Sequence, residues 1–144
     1  MPKGSLDSHH FREDTLLIWE VRYKIIQDLA LALLYLHEGW EHCVLHKDIK
    51  SRNNMLDLNF NAKLGDFVLL ARLMDHDNAS RTIDLASTNG YIDLICVTIQ
   101  RASMESNIYS FGIVALELAS GRKPINHEAP EDQVDFKTRF QFKK

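Results

Sequence analysis

A short polar stretch, His46-Lys47-Asp48-Ile49-Lys50-Ser51-Arg52-Asn53, lies between two apolar runs, Cys43-Val44-Leu45 and Met55-Leu56. Asp48 is followed by Lys50 two residues on and by Asn53 three further, and Asp66 comes 66 − 48 = 18 residues after Asp48. Phosphoryl transfer needs a set of this kind. One carboxylate orients an attacking hydroxyl and accepts its proton, and a cation offsets charge on the moving phosphoryl group. A second carboxylate and an amide oxygen can hold Mg²⁺, a hard ion that takes oxygen ligands. An isolated Asp or Asn in a loop is more often a turn residue bonded to its own backbone. That plainer reading is kept for Asp57, Asn59 and Asn61, which read as a hairpin turn.

The elements around the loop are legible in the apolar spacing. Ile26, Leu29, Leu33 and Leu36 recur at helical intervals within Trp19 to His37, and Ile25, Ala30, Ala32 and Leu34 widen the stripe. Gly39 follows as a C-terminal cap. The runs 43–45, 55–56, 62–64 and 68–73 read as short strands in hairpins. Met74 to Ile95 reads as a long surface loop. Glu105 to Ser120 leaves almost no polar face despite Glu117, and such a helix belongs in the middle of a fold. Gly121 ends it and Pro124 prevents a restart.

With these elements on either side, HKDIKSRNN looks like the catalytic loop of a protein kinase and GDFV like the magnesium-binding DFG turn. The match extends from MPKGSLDSHHF through WEVRYKIIQDLALALLYLHE to NIYSFGIVALELASGRKP. Together these segments resemble the C-terminal lobe of plant receptor-like Ser/Thr protein kinases, most closely the L-type lectin-domain receptor kinases. The fold this implies is a protein-kinase-like C-terminal lobe, mainly α, with short β-hairpins around the catalytic loop and the N-terminal lobe absent. Residues 1–134 would form the partial kinase domain and 135–144 a divergent tail.

The resemblance implies roles residue by residue. Asp48 matches the catalytic base. Lys50 matches the lysine that marks Ser/Thr kinases and meets the transferred phosphate. Asn53 and Asp66 match the two protein ligands of Mg²⁺, Met55 the floor of the adenine site, and Thr88 the substrate-side threonine that touches the catalytic loop. ATP and Mg²⁺ are the implied cofactors, and a protein hydroxyl or a partner kinase-family protein the implied partner. Residues 74–95 match much of the activation segment and 105–120 the central buried helix.

Several positions depart from the family pattern. Lys47 stands where Arg is usual, keeping charge but losing the bidentate fork. Val68 replaces the DFG glycine, Asp93-Leu94-Ile95 replaces A-P-E, and Ser87 replaces a glycine. Asn107 replaces the aspartate that ties down the catalytic-loop backbone, and Asn54 takes an apolar slot beside the adenine, which costs desolvation if buried unpaired. Ile18 takes a helix-cap position where Ser or Thr is usual. The sequence also starts near the end of the interlobe hinge, without the glycine-rich phosphate cover or the strand lysine and its glutamate partner. The expectation is a truncated family member with negligible transfer on its own. The alternatives are a non-catalytic pseudokinase-type binding module, using the exposed roof of the nucleotide cleft, and a decayed gene product without stable function.

Composition bounds the rest. The 144 residues are 45% hydrophobic and 26% charged, an ordinary globular mix. With 17 Lys and Arg against 20 Asp and Glu, the formal net charge is 17 − 20 = −3, which argues against nucleic acid as a partner. The most apolar stretch, 108–119, is shorter than the roughly 20 residues a bilayer requires, so no membrane insertion is expected. The fragment is therefore expected in the cytoplasm, whereas family members are plasma-membrane receptors with a cytoplasmic kinase domain. Two cysteines, Cys43 and Cys96, make no disulfide scaffold. HEGWEH is H-E-x-x-x-H rather than the H-E-x-x-H of zinc sites. His46 is expected to pack internally, and His9 with His10 to form a solvated pair.

Overall fold

The apolar residues of the first long helix settle which way it faces. In the computed structural model, which describes residues 3–10, 17–39, 43–66, 71–72, 90–91 and 103–124, helix α1 spans Leu6–His10 and α2 spans Trp19–Glu38. Ile25, Leu29, Leu33 and Leu36 of α2 are buried. Ile26 and Ala32 are half-buried, whereas Ala30 and Leu34 are exposed. The core-facing stripe is thus narrower than expected. Ile18 caps the helix without a side-chain bond. Gly39 ends it in a right-handed conformation, φ −79°, not a left-handed one. Glycine is needed there for space, since a Cβ would lie 2.5 Å from the Tyr35 ring.

The second long helix, α3, spans Met104–Ser120 and starts with a capping box: Ser103 Oγ accepts from Ser106 N–H and Ser106 Oγ from Ser103 N–H. Gly121 closes it with φ 70°, a left-handed conformation that glycine adopts without penalty. Arg22 ties the two helices, donating from Nε to Leu17 O (2.7 Å) and from Nη1 to Leu118 O (3.0 Å). Leu118 O is one of the last four carbonyls of α3, which have no partner inside the helix. The expectation that α3 is buried all round does not hold. Ile108 is 52% exposed, and two of its buried residues are polar, Asn107 and Glu117. Both reach out of the helix to hydrogen-bond other segments, so the buried face is partly polar for a reason.

Four short strands lie between the helices: β1 (Val44–Leu45), β2 (Asn54–Leu56), β3 (Ala62–Leu64) and β4 (Ala71–Arg72). β2 and β3 form the expected hairpin, pairing Asn54 with Leu64 and Leu56 with Ala62. Asp57 shapes its turn: Oδ1 accepts from Asn59 N–H and Asn61 N–H, and Oδ2 from Asn61 Nδ2. The Asn61 amide bond, with the other donors, holds the Asp57 carboxyl below the usual range. Asp28 of α2 accepts from Ala62 N–H at 2.9 Å, fastening the hairpin to the helix. β1, by contrast, makes no hairpin. It pairs antiparallel with the distant β4, Val44 opposite Arg72 and Leu45 opposite Ala71.

The N-terminal segment lies along β2. Leu56 N–H donates to Gly4 O at 2.9 Å, and the Lys3 ammonium sits 3.3 Å from the centre of the Phe60 ring. His9 is half-buried, not solvated: its Nε2 hydrogen-bonds Lys3 O and its ring stands edge-on to Phe60. Leu6, Ile25, Leu29, Leu56, Val114 and Leu118 form the heart of one core shared by both long helices and the hairpin.

Candidate active site

His46 follows β1 directly and is fully buried, as expected. Its Nε2 lies 2.8 Å from Gly65 O, and Asp48 N–H points to its Nδ1 at 3.4 Å. A carbonyl can only accept, so Nε2 carries the proton and Nδ1 accepts: the ring is neutral. Burial holds its pKa below the ordinary value, against opposing pulls from the Gly65 carbonyl and from Asp48 and Asp66. One side chain thus connects the loop that carries Asp48 to the turn that carries Asp66.

Gly65 is held from both sides. Its O accepts from His46, and its N–H donates to Asn53 O at 2.8 Å. A Cβ there would sit 3.1 Å from Asn53 O and 3.4 Å from Met55 Cγ, so only glycine fits without displacement. The next residue, Asp66, has φ 59° and is exposed. Lys47, on the other side of the buried imidazole, has φ 65°. Left-handed backbone at two non-glycine residues costs energy and persists where the surroundings over-determine it. The Lys47 N–H is anchored at 3.3 Å on Asn107 Oδ1 of α3.

Between these anchors, Asp48 is gripped. Its Oδ2 accepts from Lys50 Nζ (2.8 Å) and Asn53 Nδ2 (2.8 Å), and Asn53 Nδ2 also donates to Asp48 O (2.9 Å). The 3-10 turn Ser51–Asn53 brings Asn53 back onto Asp48. Asp48 Oδ1 is buried and, among the described residues, receives no hydrogen bond. The carboxylate is therefore fixed through one oxygen and retains accepting capacity on the other.

Asp48, Lys50 and Asn53 thus lie within hydrogen-bond distance of one another, and Asp66 begins one residue past the glycine docked on Asn53. Met55 faces away from the core on β2, beside Gly65. Asn54 points the other way: it is fully buried with Leu56 on the core side, and among the described residues neither side-chain polar atom is bonded. The departure noted in the sequence therefore falls in the core rather than beside the cleft, because alternate residues of a strand face opposite sides. Thr88, Phe67, Val68 and Asp93-Leu94-Ile95 lie outside the described residues.

The donor chemistry fits Mg²⁺. Asn53 commits its amide nitrogen to Asp48, which leaves Oδ1 as its acceptor, and Asp66 offers a carboxylate. Two protein oxygens with phosphates and water are a usual Mg²⁺ complement. Among the described residues, no cluster of three or more His, Cys, Asp or Glu could hold a metal ion.

A family model described as protein tyrosine and serine/threonine kinase matches residues 1–141. The chain belongs to that kinase family. Among curated relatives it is 57% identical over 126 residues to L-type lectin-domain containing receptor kinase IX.1 of Arabidopsis thaliana, covering 88% of this chain and 19% of the relative. It is 55% identical over 136 residues to receptor kinase IX.2 of the same plant, covering 94% and 20%. It is 42% identical over 135 residues to receptor kinase SIT2 of Oryza sativa subsp. japonica, covering 93% and 20%. The chain spans about a fifth of the length of these relatives. The helix-rich architecture with small antiparallel sheets is that of a partial kinase C-terminal lobe. No helix among the described residues of this kinase-family chain is long and apolar enough to cross a membrane.

One polar cluster near the kinase loop was not singled out from sequence. Glu117 of α3 is fully buried, with Ser51 Oγ hydrogen-bonded to Oε2 and Tyr91 OH to Oε1 at 2.6 Å. Burial pushes its carboxyl up to about 7, against the two hydroxyl bonds. Burial likewise raises the Tyr91 phenol. A lone glutamate inside an otherwise apolar helical run was the available signal.

Proposed function

We propose that this chain carries the catalytic-loop half of a Ser/Thr protein kinase. The observation that carries this reading is the clamp on Asp48: Lys50 and Asn53 both bind Oδ2 at 2.8 Å while Oδ1 keeps a free lone pair among the described residues. In this role Asp48 orients a protein hydroxyl and accepts its proton. Lys50, held beside it, offsets negative charge on the group in transit. Asn53 and Asp66 would hold Mg²⁺, which would supply charge neutralisation at the ATP phosphates, and Met55 would serve as the floor of the adenine site. Thr88 is assigned the substrate-side role by the resemblance alone.

Taken by itself, the 144-residue polypeptide transfers phosphate negligibly. Phosphoryl transfer is nearly all positioning and charge neutralisation, and this sequence contains no G-x-G-x-x-G phosphate loop. Asn107 offers the catalytic-loop backbone a neutral acceptor where a charged one binds more strongly. The test is radiolabel transfer from ATP with purified protein, alongside nucleotide titration in Mg²⁺. Background incorporation with weak binding that Asp66→Ala abolishes is the expected result. Robust incorporation lost in Asp48→Ala would overturn the inactivity, and nucleotide binding indifferent to Asp66→Ala would overturn the site.

A second reading, a non-catalytic binding module, is favoured by large apolar side chains exposed on α2: Trp19, Tyr23, Leu31, Leu34 and Tyr35. A protein partner retained by Asp48→Ala and lost on Leu31→Lys would support it.

A further inference from the structure

We propose that His37 and Asn107 form a pH-sensitive latch on the catalytic loop: when His37 takes up a proton, the Asn107 amide turns over and its oxygen leaves the Lys47 backbone N–H. This goes beyond the phosphoryl-transfer reading and does not need it, because it concerns only how the loop is held one residue before Asp48.

The latch joins three segments. His37 lies in the last turn of α2, Asn107 in the first turn of α3, and Lys47 in the loop between β1 and the 3-10 turn. Asn107 is 2% exposed, so its amide must find partners inside the protein. Its Oδ1 accepts from Lys47 N–H at 3.3 Å, and its Nδ2 donates to His37 Nε2 at 3.1 Å. An amide has one accepting end and one donating end. It can serve a backbone N–H and an imidazole together only while Nε2 carries no proton.

Protonation puts a hydrogen on Nε2, and two donors then face each other across 3.1 Å. Turning the amide over brings Oδ1 to the imidazolium, a charge-assisted bond stronger than the neutral one it replaces. The same turn sets Nδ2 against the Lys47 N–H, and neither group can accept. The proton on His37 is thus exchanged for the Asn107 anchor on Lys47. Lys47 has φ 65°, a conformation that persists only while its surroundings hold it. Losing the anchor loosens the loop next to Asp48. An aspartate at 107 would accept from both neighbours whatever the charge of His37, so the latch belongs to the asparagine.

His37 is only half-buried, which leaves it open to protons from solvent. The charges acting on it are Glu38, beside it on α2, and Glu105, in the first turn of α3, and both favour the imidazolium. Burial outweighs them and puts the protonation below pH 6.5. Among the described residues, His46, beside Lys47, and Glu117, further along α3, are the other groups near the loop that can change charge in the same range.

The test is an NMR titration of the full chain from about pH 8 to about pH 5, the range in which a histidine changes charge. It requires neither ATP nor turnover, so it stands even if phosphoryl transfer is absent. Lys47 amide protection, corrected for the intrinsic pH dependence of exchange, is expected to fall roughly tenfold, about the factor one hydrogen bond contributes. The fall should share its midpoint with the His37 ring and with the Asn107 side-chain amide resonances. His37→Gln removes the titrating ring, and Lys47 protection should then stay flat. Asn107→Asp should also hold it flat, and it decides the matter if His37→Gln does not fold. Lys47 protection that ignores the His37 midpoint would overturn the proposal, as would a His37 ring that stays neutral until acid unfolding. A fall that survives in either variant would assign the effect to His46 or Glu117 and overturn it equally.

Discussion

The Asn107 side-chain amide donates to His37 Nε2 across 3.1 Å while its Oδ1 takes the Lys47 backbone N–H. The Lys47 N–H can only donate, which fixes the amide's orientation and leaves His37 to accept on Nε2. His37 is therefore neutral, with its proton on Nδ1. Burial holds its pKa below the ordinary value, while Glu38 and Glu105 pull upward less strongly. Two long helices and a left-handed catalytic-loop residue meet at this one amide.

Asn107→Asp should invert that titration. A carboxylate accepts from both neighbours, so His37 would bind a proton on Nε2, and an opposite charge this close moves a pKa by about 1–3 units. NMR titration of the His37 ring should give a value below 6.5 in the wild type and above it in the variant. The stability sign follows: the wild-type contribution of His37 is full above pH 6.5 and declines as pH falls through its lowered pKa. A His37 pKa that stays depressed in Asn107→Asp would contradict the hydrogen-bond assignment.

Asn54→Leu should stabilise the protein. Both polar atoms of Asn54 are buried and, among the described residues, unbonded, and leaving such a group unsatisfied costs about 1–3 kcal/mol. The replacement also adds apolar contact with the core that contains Leu56 and Leu64. A urea midpoint that rises with an unchanged slope is the expected result. A fall of the midpoint would mean the site cannot accommodate a branched side chain.

The contrast between Asn54 and Glu117 shows what the sequence could and could not tell. Asp48, Lys50 and Asn53 stood out in the sequence because their types and spacing could carry chemistry, and the structure places Lys50 Nζ and Asn53 Nδ2 on the Asp48 carboxylate, which speaks to their proximity and not to their role. α2 and the β2–β3 hairpin were legible from periodicity and from Asp57, Asn59 and Asn61. The pairing of β1 with β4 was not, because a two-residue strand leaves too little pattern to choose a distant partner. The polar contacts of α3 were hidden in an apolar average. His9 was misplaced because its partners, Lys3 O and Phe60, come together only through the strand-like docking of the N-terminal segment.

Glu117→Gln should remove a pH dependence. A carboxyl raised from about 4.5 to about 7 destabilises the folded state as it ionises. Its protonated form contributes fully below pH 4.5, and that contribution is lost as pH rises toward 7. The stability difference, variant minus wild type, should therefore grow over that interval and level off above it, by about 3 kcal/mol at one pKa unit per 1.36 kcal/mol. Urea unfolding at several pH values measures it. A difference that is flat between pH 4.5 and 7 would show that Glu117 titrates normally.

Gly65→Ala should weaken the junction between the two halves of the site. The added Cβ would approach Asn53 O to 3.1 Å, where the Gly65 N–H now donates at 2.8 Å. Either the hydrogen bond lengthens or the 3-10 turn shifts, and overpacking of this kind costs about 1–3 kcal/mol. The backbone φ of Gly65 is not in the left-handed region, so the cost is steric and local. Amide exchange at residue 65 should accelerate more than exchange in α2, and the His46 ring resonances should move because Nε2 donates to the same residue's carbonyl. Unchanged His46 resonances together with unchanged exchange at 65 would mean that the turn yields without disturbing Asn53, and the role assigned to this glycine would fail.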